Sequence, residues 1–495
     1  MIASYIGIGI ALVILAVVAA GLWWTWRRPF VGLGLLIAGL ALHNIVVMAL
    51  LGLGTPHLLV RVVQGWKEMF LLVLLVIAVR AISARHRDSA PGPVTVTDGI
   101  AIAFAAIVCV YFLIPPSVLG SDASLAQRLV GLRTMILIPL LYFIGRTVTA
   151  REDRDRLTVV VLCMGAGAAV AIFGVYEIFF VPTSTWLRWG VNAYTSFLGF
   201  TYHGPAGLPE NFFITVNSGT LVRRMVSTYV SPLGIAYTAL MLLPLGIAAI
   251  DRRVSKPVAL GIAVSTALVV VSVVLSITRL ALFAAVGEAI LLAIVLRRVW
   301  IAALVPVLIV ATVTALQPYA SIAPAVDRNL NPVLRSGILW TIPGNDSSGR
   351  EHYDFLKSDL LVDLQHPFGL GTGASTVRYG QLVGTGESAV LGMFGDLGVV
   401  GGMLYVTLFL LSIWHGYLAL KRSRASSLEE CLPLVALVGG LALVPISMTT
   451  DLWGDLSVTF PFWWSAGACA TMCAERAWRP AGATYRARRR TLAGG

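Results

Sequence analysis

Thirteen stretches of about 20 predominantly apolar residues recur along the chain, centred near 5–25, 31–52, 63–83, 98–116, 131–149, 157–180, 229–250, 257–276, 280–297, 300–316, 393–419, 431–449 and 457–475. A helix of that length crosses roughly 30 Å of hydrocarbon, and only a helix or a closed barrel satisfies its own backbone polar groups there. The expected fold is therefore all-α, a polytopic transmembrane bundle of about 12–13 spans. Charged residues make up only 12% of the 495, about half of what a soluble domain carries, which excludes a water-soluble enzyme. The segment 63–83 is the least regular, because Lys67 and Glu68 fall inside it with Arg61 just before.

The net charge of +12 has a topological explanation. Arg27 and Arg28; Arg80, Arg85 and Arg87; Arg146, Arg151, Arg154 and Arg156; Arg252, Arg253 and Lys256; Arg297 and Arg298; Lys421, Arg422 and Arg424; and the tail from Arg476 to Arg490 hold 23 of the 36 basic residues. Each cluster falls at an alternate boundary between apolar segments. The positive-inside rule then predicts an outside N-terminus and a cytoplasmic C-terminus, and the basic balance is no sign of nucleic-acid binding. The inner clusters are suited to contact with anionic membrane lipids. No charged n-region precedes the first segment, so it is expected to be a retained span rather than a signal peptide. The five cysteines lie in or beside spans, without disulfide or metal-ligand spacing; no cofactor and no metal site is expected.

The chain accordingly divides into N-terminal spans (1–180), an outer loop (181–228), central spans (229–316), a large extracytoplasmic loop (317–392), C-terminal spans (393–475) and a basic tail (476–495). Long loops in a compact architecture are commonly functional. In the second loop, Leu356, Leu360 and Leu364 recur at spacing four among charges, predicting an amphipathic helix over 351–365 that lies against the membrane or the bundle. His366-Pro367-Phe368-Gly369-Leu370-Gly371-Thr372-Gly373 follows. Its glycines suit a tight turn or the exposure of backbone N–H groups to an anion, and no βαβ context makes it a dinucleotide fingerprint. Ionisable residues at membrane depth are costly: Glu177 and Glu288 are expected either to pair within the bundle or to serve ion coupling, His43 to be a core histidine, and Arg279 to be an interfacial anchor or a cation facing an anionic substrate.

Four stretches, in order, resemble the bacterial O-antigen ligase and O-antigen polymerase superfamily. Arg224-Met-Val-Ser-Thr-Tyr-Val-Ser-Pro232-Leu-Gly-Ile-Ala236 is similar to that family's Arg-x-x-Gly-Thr-Phe-x-Asn-Pro-Asn-x-x-Ala segment. Ser276-Ile-Thr-Arg279 resembles its Ser-x-Ser-Arg helix end. Gly349-Arg350-Glu-His-Tyr353 with the turn 366–373 resembles the loop stretch in which an Arg precedes an aromatic residue, a helix and His-Pro-x-x-Gly-x-Gly. Glu387-Ser388, nine residues, Gly398, two residues and Gly401 match the spacing of a His-Asn/Ser/Gln-x9-Gly-x-x-Gly signature. The likeness spans about 220–405. It implies a membrane glycosyltransferase that moves a glycan from a polyprenyl diphosphate to a glycan, lipid or wall-anchor acceptor on the extracytoplasmic face. It also implies diphosphate-binding arginines, by position Arg224, Arg279 and Arg350, with His366, Gly371 and Gly373 supporting the loop. The chain departs from the pattern at Ser231 and Leu233, where the family has Asn, and at Glu387, where the ligases carry the His that activates the acceptor.

The chemistry supports these assignments independently. Breaking the C1–O bond of a glycosyl diphosphate builds negative charge on the leaving group, which permanently ionised arginines stabilise through bidentate donation. The acceptor hydroxyl must lose a proton, which a carboxylate such as Glu387 accepts; the competing role for Glu387 is as ion-pair partner of an arginine. A single base and no covalent intermediate predict inversion. The missing His tilts the expectation toward a polymerase over a ligase. A peptidoglycan-type polymerase and a secondary transporter working through Glu177 and Glu288 are the alternatives. Cysteines introduced at 330–380 should react with an impermeant reagent applied from outside; labelling only from the cytoplasmic side would reverse the topology.

Overall fold

The computed structural model describes residues 2–87, 94–150, 152–200, 204, 207–216, 220–250, 254–303, 305–306, 309, 347–375, 387–424 and 427–478. Its N-terminal part comprises α1 (Ile2–Arg27), α2 (Val31–Gly52), α3 (His57–Gln64), α4 (Trp66–Arg87), α5 (Val96–Leu113), α6 (Leu125–Thr147) and α7 (Asp153–Phe180). Short helices α8 (Thr183–Arg188) and α9 (Val191–Phe197) lead to a hairpin, β1 (Phe213–Val216) antiparallel to β2 (Thr220–Arg223), with Phe213 opposite Arg223. Then come α10 (Pro232–Ile250), α11 (Lys256–Ser276), α12 (Arg279–Leu296), α13 (Val299–Ala302), the loop helix α14 (Ser347–Gln365), α15 (Ala389–Arg422), α16 (Leu428–Thr449) and α17 (Leu456–Trp478).

Eleven helices among the described residues are long and apolar enough to cross a membrane, α3 and α4 counting together as one. The protein is thus a multi-pass membrane bundle. The expected segment 457–475 is the 23-residue α17. Its polar Ser457, Thr459, Ser465 and Thr471 and its tryptophans Trp463 and Trp464 are all buried, because this helix is enclosed by others and not by lipid. The segment 300–316 lies mostly outside the described residues. The irregular third span divides at Gly65 into α3 and α4. The small hairpin in the 181–228 loop was not expected from the sequence pattern.

Contacts between links bring four of the basic clusters to one end of the bundle. Arg28 meets Asp155 at 3.4 Å, the Arg80 guanidinium lies 4.7 Å over Trp26, and Arg146 forks onto Asp98 while also donating to Thr471. Arg422 donates to the Cys473 carbonyl at 2.6 Å. The opposite end is built around a buried ion pair. Glu177, near the end of α7, receives Arg223 at 2.5 Å and the Trp186 indole N–H at 3.3 Å. Arg223 also donates to the Val181 carbonyl. Glu177 is therefore a structural anchor that fastens the hairpin and the following strand segment to the bundle, in keeping with the expectation that it pairs. Neither carboxyl oxygen of Glu288 has a hydrogen-bond partner among the described residues.

Removing one member of a buried pair strands the other charge. Arg223→Met should therefore lower stability by about 3–5 kcal/mol, read as a large fall in melting temperature of the detergent-solubilised protein; an unchanged melting temperature would show that the pair anchors nothing.

Candidate functional site at the loop-bearing end

The chain reaches Arg224 straight from the anchored hairpin, and its backbone is held on both sides: Arg224 N–H donates to Phe212 and Met225 N–H to Leu275 at the end of α11. The guanidinium is buried. Nε donates to the Ser276 carbonyl at 2.9 Å and Nη2 to Thr278 Oγ1 at 2.7 Å. Both acceptors are uncharged, and no carboxylate pairs with Arg224 among the described residues. Ser276 and Thr278 flank Ile277, whose φ of 51° turns α11 into α12, and Arg279 opens α12. The motif Ser276-Ile-Thr-Arg279 thus supplies both the acceptors that orient Arg224 and a second cation within electrostatic reach of it. Burial pushes the Arg224 pKa down to about 10, and the charge of Arg279 acts in the same direction; the group stays a cation at neutral pH. A buried guanidinium beside another cation, supplied only with neutral acceptors, is short of negative charge.

Glu387 stands at the start of α15, one residue before Ser388, whose Oγ caps the helix by accepting from Leu391 N–H. Ala389 N–H donates to the Thr450 carbonyl, and the Thr450 hydroxyl shares a 3.1 Å hydrogen bond with Tyr237 of α10. The Tyr237 hydroxyl lies within electrostatic range of Arg224, Asp455 and Glu387. Glu387 itself pairs with His352 of α14, Oε2 to Nδ1, at 3.0 Å. Among the described residues the partner of Glu387 is thus a histidine. Sequence reasoning did not single out His352. It stands two residues after Arg350 in the motif, but a separation of 35 residues from Glu387 hides the pairing. Arg350 occupies the first turn of α14; its side chain lies outside the described residues.

The Gly-rich turn is a structural clamp. Gly398 breaks α15 with φ 67° and ψ −175°, leaving backbone groups that another segment must satisfy. Val399 N–H donates to the Pro367 carbonyl at 2.9 Å, Leu370 N–H to Gly395 at 2.8 Å and Gly371 N–H to the Asp396 carbonyl at 2.9 Å. The Asp396 carboxylate takes the N–H groups of Gly373 at 2.6 Å and Ser375 at 2.8 Å. Gly371 and Gly373 have φ of 99° and 82°, and a Cβ on Gly373 would collide with the Gln127 carbonyl at the start of α6. Of the two uses open to these glycines, the tight turn holds: the amides of Gly369 and Gly371 donate to backbone carbonyls and that of Gly373 to a protein carboxylate. Gly371 and Gly373 thus lie in the turn that packs on α15. His366 contributes through its backbone, closing α14 onto Val362 and accepting from Gly369, while its side chain is exposed. Ser231 caps α10 by accepting from Gly234 N–H at 3.2 Å.

No protein-family model matches this sequence, and no curated protein is similar to it.

α14 rests on the broken helix through Asp363, whose Oδ1 lies against Gly395 and whose Oδ2 has no hydrogen-bond partner among the described residues. Burial, followed by the charges of Asp359 and Asp396, pushes its pKa from 3.8 up to about 7. The docked state thus binds the proton more tightly than the undocked one, so docking is strongest at acid pH. It weakens as pH rises from about 4 and levels off above about 7. Hydrogen exchange in α14 should accelerate across that interval, and Asp363→Asn should flatten the dependence; a wild-type profile independent of pH would remove Asp363 from the docking surface.

Proposed function

We propose that this protein is a membrane glycosyltransferase that moves a glycan from a polyprenyl diphosphate to an acceptor hydroxyl on the extracytoplasmic face of a bacterial inner or plasma membrane. The observation that carries this reading is a buried Arg224 oriented by neutral acceptors beside Arg279, at the same end of the bundle as the Glu387–His352 dyad. That combination offers a cationic site and a proton acceptor at one end of the bundle, the two requirements of glycosyl transfer from a diphosphate. The basic clusters at the opposite end support a cytoplasmic position for that end by the positive-inside rule, with the N-terminus and the large loop outside.

In this reaction Arg224 and Arg279 hold the diphosphate oxygens, with Arg350 as a third donor from α14. The acceptor hydroxyl attacks C1 from the face opposite the diphosphate. The C1–O bond breaks, its electron pair leaves with the diphosphate, and the arginines stabilise the charge that develops there. The acceptor proton passes to the dyad. Glu387 at His352 Nδ1 favours the tautomer whose Nε2 accepts a proton and stabilises the imidazolium that results, so in this reading the base is the pair rather than Glu387 alone. Direct displacement inverts the anomeric centre. A polymerase and a ligase differ only in the acceptor, as does a peptidoglycan-type polymerase; the dyad restores a histidine to the site and removes the ground for preferring a polymerase over a ligase.

Purified protein supplied with a glycosyl polyprenyl diphosphate and an acceptor should form product, and His352→Ala and Glu387→Gln should each slow it by about 10²–10⁴-fold. Arg224→Gln should act on the same scale. Full turnover by all three variants would dismiss the site.

A further inference from the structure

The loop-bearing end carries an apolar surface that the candidate site does not use. α5 presents a stripe of exposed residues at helical spacing, Gly99, Ile102, Ala106, Cys109 and Leu113. α15 presents another, Val399, Met403, Leu410 and Trp414. The two helices are neighbours, with the Phe104 ring 6.3 Å from that of Tyr405. Both stripes belong to membrane-spanning helices and carry no charge, so they are the lipid-facing sides of adjacent spans.

The end of α14 closes over this pair of helices. Tyr111 of α5 donates to the Phe368 carbonyl at 2.5 Å, and Val399 of α15 donates through its N–H to the Pro367 carbonyl at 2.9 Å. A Cβ on Gly398 would collide with the Phe368 backbone. The backbone is thus fixed against both spans while the Phe368 side chain stands clear of them, 81% exposed, with Leu364 one turn earlier at 69% and Leu113 at the end of α5 at 77%. α14 comes to this position alongside the first turns of α15: His352 meets Glu387, Asp363 lies against Gly395 and Pro367 bonds Val399. Along that path Asp359 is buried and Asp363 faces the broken helix, while Leu360, Leu361 and Leu364 face outward. A helix lying on protein in water has the opposite polarity; carboxylates inward and leucines outward suit a helix with lipid on its free side.

Depth along α5 agrees. Asp98, paired with Arg146, marks the level of the opposite, basic end, and Tyr111 stands thirteen residues farther on, a rise of about 20 Å. Tilt of the helix only shortens that rise across the membrane. Hydrocarbon about 30 Å thick, counted from Asp98, therefore extends roughly 10 Å beyond the Phe368 carbonyl. Arg128, which caps α5 by donating to the Phe112 and Ile114 carbonyls, sits at the polar rim of this surface, where a long cationic side chain reaches headgroups.

We propose that the turn ending α14 is seated in the lipid leaflet at the loop-bearing end, with Phe368 and Leu364 packed among acyl chains beside Leu113. Gln365 and His366, exposed on the same turn, keep it at the depth of an interfacial segment, about 5–10 Å into the leaflet. α14 is held between α15 on one side and lipid on the other, so the placement of His352 depends on the bilayer. This lipid contact is independent of the glycosyl-transfer reading.

Photocrosslinking of the full chain in phosphatidylcholine nanodiscs tests the contact. The photoreactive p-benzoylphenylalanine is introduced singly in place of Phe368, Leu364, Val110 or Asp354, and mass spectrometry identifies the partner of each adduct. Val110, exposed within α5, reports a lipid-facing side chain, and Asp354, exposed near the start of α14, reports one away from the leaflet. Positions 368 and 364 should give phospholipid adducts as 110 does, and the lipid adduct should be lost at 354. Adducts of 368 and 364 with a peptide of this chain, from the same or a second copy, would overturn the proposal. So would the absence of lipid adducts at both positions, or equal lipid yields at all four. If the chain altered at 368 does not assemble, position 364 alone decides.

Discussion

Every departure from helical geometry inside a hydrocarbon layer leaves backbone groups that only protein can satisfy, and this constraint governs how the loop-bearing end of the protein is assembled. α15 breaks at Gly398, and the segment 367–375 exists in its observed form because it fills that break with its own N–H and C=O groups, locked by the buried Asp396. The same turn closes against the start of α6 and receives the Tyr111 hydroxyl on the Phe368 carbonyl at 2.5 Å. The repair of one helix therefore ties the large loop to α5, α6 and α15 together and sets where α14, with His352, stands relative to Glu387.

The other half of the site depends on a different solution to the same problem. The hairpin chain must pass over the bundle between α7 and α10, and Glu177 holds it there by taking Arg223. Arg224, the next residue, then points to the α11–α12 junction, where Ser276 and Thr278 orient it. One arginine is neutralised and structural; its neighbour is buried with only neutral acceptors among the described residues. That contrast between adjacent residues is the ground for proposing an anion site at Arg224 and not at Arg223.

Much of the architecture was legible from apolar segment length alone, because the bilayer allows few alternatives. Where the prediction blurred, the reason was local: Lys67 and Glu68 interrupt the third span because α3 ends and α4 begins there, and α17 is less apolar because it faces protein on all sides. Within the site, the arginine positions and the Gly-rich turn were visible as motifs, but their division of labour was not. Spacing could not show that the amides of 371, 373 and 375 are consumed by Asp396, nor that Glu387 meets His352, since both depend on how a long loop folds back over the bundle. Arg223 drew no notice beside Arg224, although it carries the ion pair on which its neighbour's placement rests.

The central claim is that Arg224 and Arg279 form a diphosphate site. Binding of polyprenyl diphosphate, polyprenyl monophosphate and uncharged polyprenol to the full chain in nanodiscs of zwitterionic lipid tests it most directly. The account predicts the tightest binding for the diphosphate, a strong loss of that preference in Arg224→Gln, and little effect of the substitution on the uncharged lipid. Equal affinity for all three lipids, or a diphosphate preference that survives the loss of Arg224, would contradict it.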